Sequence, residues 1–230
     1  MTFMPLKDMG SRYRTAGLWQ SVAETLQREI IFGRLQPRER LVEDEIIERT
    51  GASRHAVRRA FDEMAQNGLI VRLPHKGVRV RSYTAKEVED LYELRETLEA
   101  KAALRIVLPA PAQLVEELAA IEQEHEAASR AGDVVRLFEA NNRFHETLYG
   151  ACGNSTLAEA IRLYSTQTHA IRTRRMSDDS WRKEAVRQHW RIIEALGKRD
   201  NSALAALCLT HIRAPKEFYL SLYRKGVESI

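Results

Sequence analysis

The chain has 230 residues, is 44% hydrophobic and 30% charged, and carries a formal net charge of +4, the profile of an ordinary globular protein with one substantial core or two modest ones. Its longest apolar run, Ala203 to Leu209, is far short of the roughly 20 residues a membrane span needs. No charged-then-apolar leader opens it, so a cytoplasmic location without membrane contact is expected. Two cysteines, Cys152 and Cys208, exclude a disulfide framework and contain no CxxC pair.

In chain order, residues 1–16 lack helical apolar spacing and include Lys7, Arg12 and Arg14, which predicts an arm outside the folded core. From Leu18, the apolar Val22, Leu26 and Ile30 recur at helical spacing until Gly33 and Pro37. A short second helix fits Val42 to Thr50. Gly51 supplies a turn, and Ser53 is a good N-cap for a third helix with Val57, Phe61 and Met64 as its apolar stripe, stopped by Asn67-Gly68. Leu69 to Leu73 and Val78 to Arg81 read as a β-hairpin around Pro74, His75, Lys76 and Gly77. Three helices and a hairpin over residues 17–81 make a winged helix-turn-helix.

After a link at 82–86, the strand signal disappears. Thr84 and Glu87 form a capping box for a helix to about Ile106, closed by Pro109 and Pro111. Further helices fit Ala112 to Arg130, Asp133 to Tyr149, Ser155 to Arg175, Arg182 to Leu196 and Ser202 to about Arg224. The predicted fold is therefore mainly α: the winged helix-turn-helix, then an all-α antiparallel bundle over 87–230.

Charge is unevenly distributed. Residues up to Ala85 carry a net +5 and the remainder −1, so a polyanion partner concerns the first domain only. Arg54, His55, Arg58 and Arg59 crowd the first turns of the third helix. Arg54 and Arg58, four apart, share one face, while Val57 and Phe61 occupy the face that meets the other helices. A solvated basic face and a face reading base edges in the major groove are both open to this helix. Lys76 and Gly77 at the hairpin tip, with Arg79 beyond, suit a backbone pressed against phosphate or the minor groove and favour double-stranded DNA.

In the second domain His145, His189 and His211 sit on three different predicted helices. Each has apolar neighbours at helical spacing: Phe138 and Leu148; Val186, Ile192, Ile193 and Leu196; Leu204, Leu207 and Cys208. All three point inward. A single such histidine is ordinarily a core residue, but three in one bundle suit a divalent transition metal, zinc or nickel foremost. Asn141, one turn before His145, offers an amide oxygen as a fourth, weaker ligand. Three histidines with open positions suit a hydrolytic zinc centre as well as a sensor, and no inward carboxylate partner for base catalysis is evident.

These segments resemble the GntR family of bacterial regulators, in its FadR-like branch with an all-helical FCD effector domain. In the first domain the resemblance rests on the runs Pro37 to Ile46 and Ala52 to Phe61 and on the segments beginning at Asn67 and His75. In the second it rests on Leu91 to Glu99, Asn141 to His145, Gly153 to Leu157, Gln188 to Leu196 and Thr210 to Ile212. It implies DNA contacts by Arg40, Ser53, Arg54, Arg58, Lys76 and Gly77, and metal ligands at Asn141, His145, His189 and His211. It further implies a small carboxylate metabolite beside the metal with Arg95 as its partner, and a homodimer on a short palindromic operator, acting as a repressor that ligand relieves. Two departures stand out. His55-Ala56-Val57-Arg58-Arg59 replaces the family's usual Thr-Pro-Val-Arg-Glu, and Asn141 stands where Asp is frequent. A metal-dependent hydrolase and an effector-independent DNA-packaging protein are the rival readings.

Overall fold

The computed structural model describes residues 17–74, 76–176 and 178–224. The arm expected at 1–16, the turn residue His75 and the break at Ser177 lie outside the described residues. The chain divides into two compact units after Ser82.

In the first unit α1 (Leu18–Ile31) and α2 (Glu43–Thr50) pack on α3 (Arg54–Gln66). Val22, Leu26 and Ile30 from α1, Ile46 from α2, and Val57, Phe61 and Met64 from α3 are all buried. Gly51 ends α2 at φ 68, a left-handed conformation that a Cβ would strain. Two residues later Ser53 caps α3, its Oγ accepting from Ala56 N at 3.2 Å. This turn fixes the direction in which α3 leaves α2.

The predicted hairpin is β2 (Ile70–Leu73) and β3 (Gly77–Val80), in register Ile70↔Val80 to Leu73↔Gly77. A third strand was not expected. β1 (Arg40–Leu41) pairs antiparallel with β3, giving the order β1-β3-β2 and placing Arg40 opposite Arg79. Two residues carry no periodicity, so only the ladder they join makes them a strand.

The second unit is wholly helical among the described residues. α4 (Ala85–Ala103) opens on the expected capping box: Thr84 Oγ1 accepts from Glu87 N at 3.2 Å, and Glu87 Oε2 accepts from Thr84 N at 2.8 Å. Thr84→Ala is expected to cost about 1 kcal/mol, read as a fall of roughly 2–4 °C in melting temperature; an unchanged melt would contradict this cap. α4 stops at Ala103, three residues before the expected end. α5 (Ala112–Ala131) packs on α6 (Val134–Gly150) and α9 (Asp179–Leu196), while α10 (Asn201–Arg224) packs on α4 and α9. Phe144, Leu148, Ile192, Leu196 and Leu204 form the centre of this core.

The helix expected from Ser155 to Arg175 is broken. α7 (Ser155–Gln167) ends at Thr168, followed by α8 (His169–Arg172) and a 3-10 turn, Thr173–Arg175. Thr168 Oγ1 donates to Ser165 O at 2.8 Å and accepts from Arg95 Nη1 on α4 at 2.7 Å. That long-range bond holds the break and leaves Thr168, His169 and Arg172 all buried.

Candidate nucleic-acid interface and candidate metal centre

The first turns of α3 present Arg54, His55, Arg58 and Arg59 to solvent, with Ala56, Val57, Ala60 and Phe61 buried behind them. Arg54 Nη2 lies 2.6 Å from Asp44 Oδ1, and Arg58 Nε lies 3.0 Å from Glu43 Oε2. Both acids come from the first turn of α2, where they also complement the positive end of that helix. Arg59 stacks over Trp19 of α1 at 4.1 Å, so this residue, unusual for the resemblance, is held against α1. At the wing, Lys76 and Gly77 are exposed. Gly77 has φ +80, and a Cβ there would meet the Arg40 guanidinium at 3.8 Å. β1 thus brings Arg40 to the wing tip, a proximity invisible in the sequence. The α2 acids were also missed, because acidic residues in a first helical turn ordinarily signal only capping.

In the helical unit, His145 (α6), His189 (α9) and His211 (α10) converge. Their Nε2 atoms lie 3.2 Å apart for His145 and His211 and 3.3 Å apart for His189 and His211. For His189 and His211 the other ring nitrogens fix the tautomers. Gln188 Nε2 donates to Glu184 Oε1 at 3.1 Å, so Gln188 Oε1 faces His211 Nδ1 at 2.9 Å and must accept its hydrogen. His189 Nδ1 donates to the carboxylate of Glu122 at 2.6 Å. Two Nε2 lone pairs therefore face each other with no hydrogen between them. Burial, followed for His211 by the neighbouring His189, holds both imidazoles well below the usual histidine range, which disfavours a proton as the bridge. The donor set fits a divalent ion. Two imidazoles on a tetrahedral ion with bonds of about 2.0–2.1 Å stand roughly 3.3 Å apart, and support of each ring through its other N–H is the usual outer shell of such ligands. Asn141 is buried and its Nδ2 has no partner.

Glu122 corrects the expectation that no inward carboxylate is present. It is fully buried on α5, between His189 Nδ1 and His125 Nδ1, the latter at 3.0 Å. Burial pushes its carboxyl up and His125 draws it back. Glu122, His125 and His189 also form a possible ligand group, but His189 Nδ1 cannot both donate to Glu122 and bind a cation there. Geometry thus makes this trio the support of the first cluster. Its signal lay in the spacing of Leu118, Ile121, Glu122 and His125, a polar pair set in an apolar stripe.

Arg95 is buried, which excludes a surface arginine. Its Nε lies 2.9 Å from Glu99 Oε1 and its Nη1 2.7 Å from Thr168 Oγ1, and Glu99 also accepts from Tyr149 Oη at 2.7 Å. Arg95, Asn142, His145, Tyr149, Arg162 and His169 contribute to the lining of a cavity of about 300 Å³. Behind Asn142, Arg172 donates to that amide and lies over Phe138; burial, with Arg95 nearby, brings its pKa down to about 10. His169 and Arg172 were missed because the expected uninterrupted helix hid the break that turns them inward.

Residues 18–80 match bacterial regulatory proteins of the gntR family, and residues 90–214 match the FCD domain. The Nta operon transcriptional regulator of Aminobacter aminovorans is 30% identical over 85% of this chain and 91% of its own length. The HTH-type transcriptional repressor RspR of Escherichia coli K12 is 25% identical over 86% and 87%. Among solved structures, E. coli McbR/YncC shares the fold with a TM-score of 0.77 at 18% identity, covering 91% of this chain and 100% of its own. No described helix is long and apolar enough to cross a membrane. The chain belongs to the GntR family of bacterial regulators, with a winged helix-turn-helix followed by an FCD domain, and is a DNA-binding transcription regulator and not an enzyme.

Proposed function

We propose that the protein is a homodimeric repressor that holds a palindromic operator through residues 17–81, using Arg40, Ser53, Arg54, His55, Arg58, Lys76 and Gly77. Residues 87–230, joined through 82–86, hold a divalent transition metal, zinc or nickel, on His145, His189 and His211 with Asn141 beside them. A small organic acid enters the adjoining cavity and changes operator affinity. The metal supplies a fixed positive charge for an anionic ligand. Ligand acts by binding one state of the dimer better than another.

One observation carries the effector reading. Asn141 Nδ2, His145 Nδ1, His169 Nδ1 and Arg172 Nε are buried without a partner, and His145 and His169 line the cavity. Buried polar nitrogens left unpaired are costly, so an occupant rich in acceptors relieves them. Arg172 adds a buried cation with no carboxylate paired to it among the described residues, which favours an anion. Arg95, already bonded to Glu99 and Thr168, serves as the inner wall against which the carboxylate group rests.

A thermal-shift panel of short mono-, di- and hydroxycarboxylates on the zinc-loaded protein tests this. An acid present at about 100 times its Kd stabilises the folded state by roughly 2.7 kcal/mol, a shift of several degrees. The Arg172→Met protein is expected to lose that shift. No shift with any acid, on folded and metal-loaded protein, would overturn the effector reading.

A further inference from the structure

We infer that Glu43 determines sequence specificity at the DNA interface: by accepting the Nε–H of Arg58 it turns that guanidinium end-on to the DNA as a guanine reader. The inference rests on the reading that the exposed basic face of α3 contacts DNA. Glu43 is the first residue of α2, with a side chain only 24% exposed, whereas that of Arg58 is 59% exposed. Arg58 Nε lies 3.2 Å from Glu43 Oε1 and 3.0 Å from Oε2. Among the described residues its two terminal nitrogens have no partner.

A guanidinium carries five N–H donors in one plane. With the Nε occupied by a buttressing carboxylate, the end of the fork remains, presenting two parallel N–H bonds. The major-groove edge of guanine offers two acceptors, O6 and N7, at matching separation. A long side chain held in this pose loses less freedom on binding than a free one. Arg54 differs. Its Nη2 lies on Asp44 at 2.6 Å and its Nη1 is 3.6 Å from Glu43, so it offers no free fork and is the phosphate-holding partner of the pair.

The sign of Glu43 supports the same conclusion. A carboxylate at a DNA-facing surface repels phosphate and weakens binding to every sequence, an unfavourable effect offset only where Arg58 engages a guanine. Repulsion of the wrong partner combined with alignment for the right one is how selectivity is obtained. Exposed ion pairs contribute little to stability, so the pair does not need Glu43 for folding.

Selection from a duplex library with a randomised core, run with the full-length protein, tests the inference. Wild type is expected to enrich a guanine at one fixed position of each half-site. Arg58→Ala and Glu43→Ala are both expected to lose that preference, with at least about a tenfold fall in discrimination at that position. Glu43→Ala should also bind random duplex several-fold more tightly, with a salt dependence steeper by about one phosphate contact, because the released Arg58 grips the backbone. Glu43→Gln, which keeps an acceptor but no charge, should gain random-duplex affinity while retaining part of the guanine preference, and it serves should the alanine variant misfold. A purely structural role would lower the melting temperature and weaken binding to all duplexes with the pattern unchanged. If Arg58→Ala loses the guanine and Glu43→Ala keeps it, the inference about Glu43 fails alone. If Arg54→Ala and Arg58→Ala both keep the wild-type pattern, the α3 reading fails with it.

Discussion

Replacing His189 by alanine is expected to abolish stoichiometric uptake of zinc or nickel. His189 is fully buried, its Nε2 faces His211 Nε2 at 3.3 Å, its Nδ1 lies 2.6 Å from Glu122, and its ring stacks on Phe144 at 4.1 Å. Removing it takes away one of three converging imidazole nitrogens and leaves Glu122 buried with His125 alone. Leaving a buried carboxylate without one of its hydrogen-bond donors costs on the order of 1–3 kcal/mol, so the variant melts lower whether or not metal is supplied. Glu122→Gln separates ligation from support. It keeps a group of the same shape beside His189 but no longer holds the Nδ1 hydrogen as strongly, and metal affinity is expected to fall about 10–100-fold without disappearing. Stripping wild type with a chelator should lower its melting temperature, and added zinc should restore it. Elemental analysis and calorimetric titration check these outcomes. A His189→Ala protein that still binds one ion per chain would remove His189 from the site.

The second large effect concerns α3. Arg54→Ala and Arg58→Ala are each expected to weaken operator binding by about 1–3 kcal/mol, roughly 5- to 150-fold in Kd. The ion pairs to Asp44 and Glu43 do not argue against this. Arg54 and Arg58 side chains are 56% and 59% exposed, and such pairs contribute about 0–1 kcal/mol, so exchanging Asp44 for a phosphate costs little beside the new bond to DNA. Lys76→Ala should behave like Arg54→Ala and unlike Arg58→Ala, weakening all duplexes alike, because a cation on phosphate does not read a base edge. Anisotropy titrations on an operator duplex and a random duplex distinguish the two patterns. Unchanged affinity in both arginine variants would remove α3 from the readout.

Much of this architecture was legible from local chemistry. Ser53 and Gly51 act within a few residues of themselves, and Thr84 with Glu87 is a self-contained box, so their patterns translate directly into structure. His145, His189 and His211 were legible as inward residues because each rides an apolar stripe on its own helix. What was hidden depends on partners distant in the chain. β1 exists only because Arg40 and Leu41 pair with β3, and α7 ends where Thr168 meets Arg95, 73 residues away. The support that Glu122 gives depends on His125 and His189, and the burial of Arg95 on its bonds to Glu99 and Thr168, none of which local spacing shows. Conversely, Glu43 and Asp44 look like ordinary helix-start acids until α3 brings two guanidinium groups against them.

The central claim is sequence-selective DNA recognition by the winged helix, and its most direct test is a ratio. The Kd of the full-length protein is measured at physiological salt for a duplex enriched by selection and for a random duplex of the same length. Selective readout by α3 predicts at least about 10³-fold preference for the selected duplex, lost largely in Arg58→Ala. Comparable affinity for both duplexes, falling steeply with salt, would contradict it and identify a general DNA-packaging protein instead.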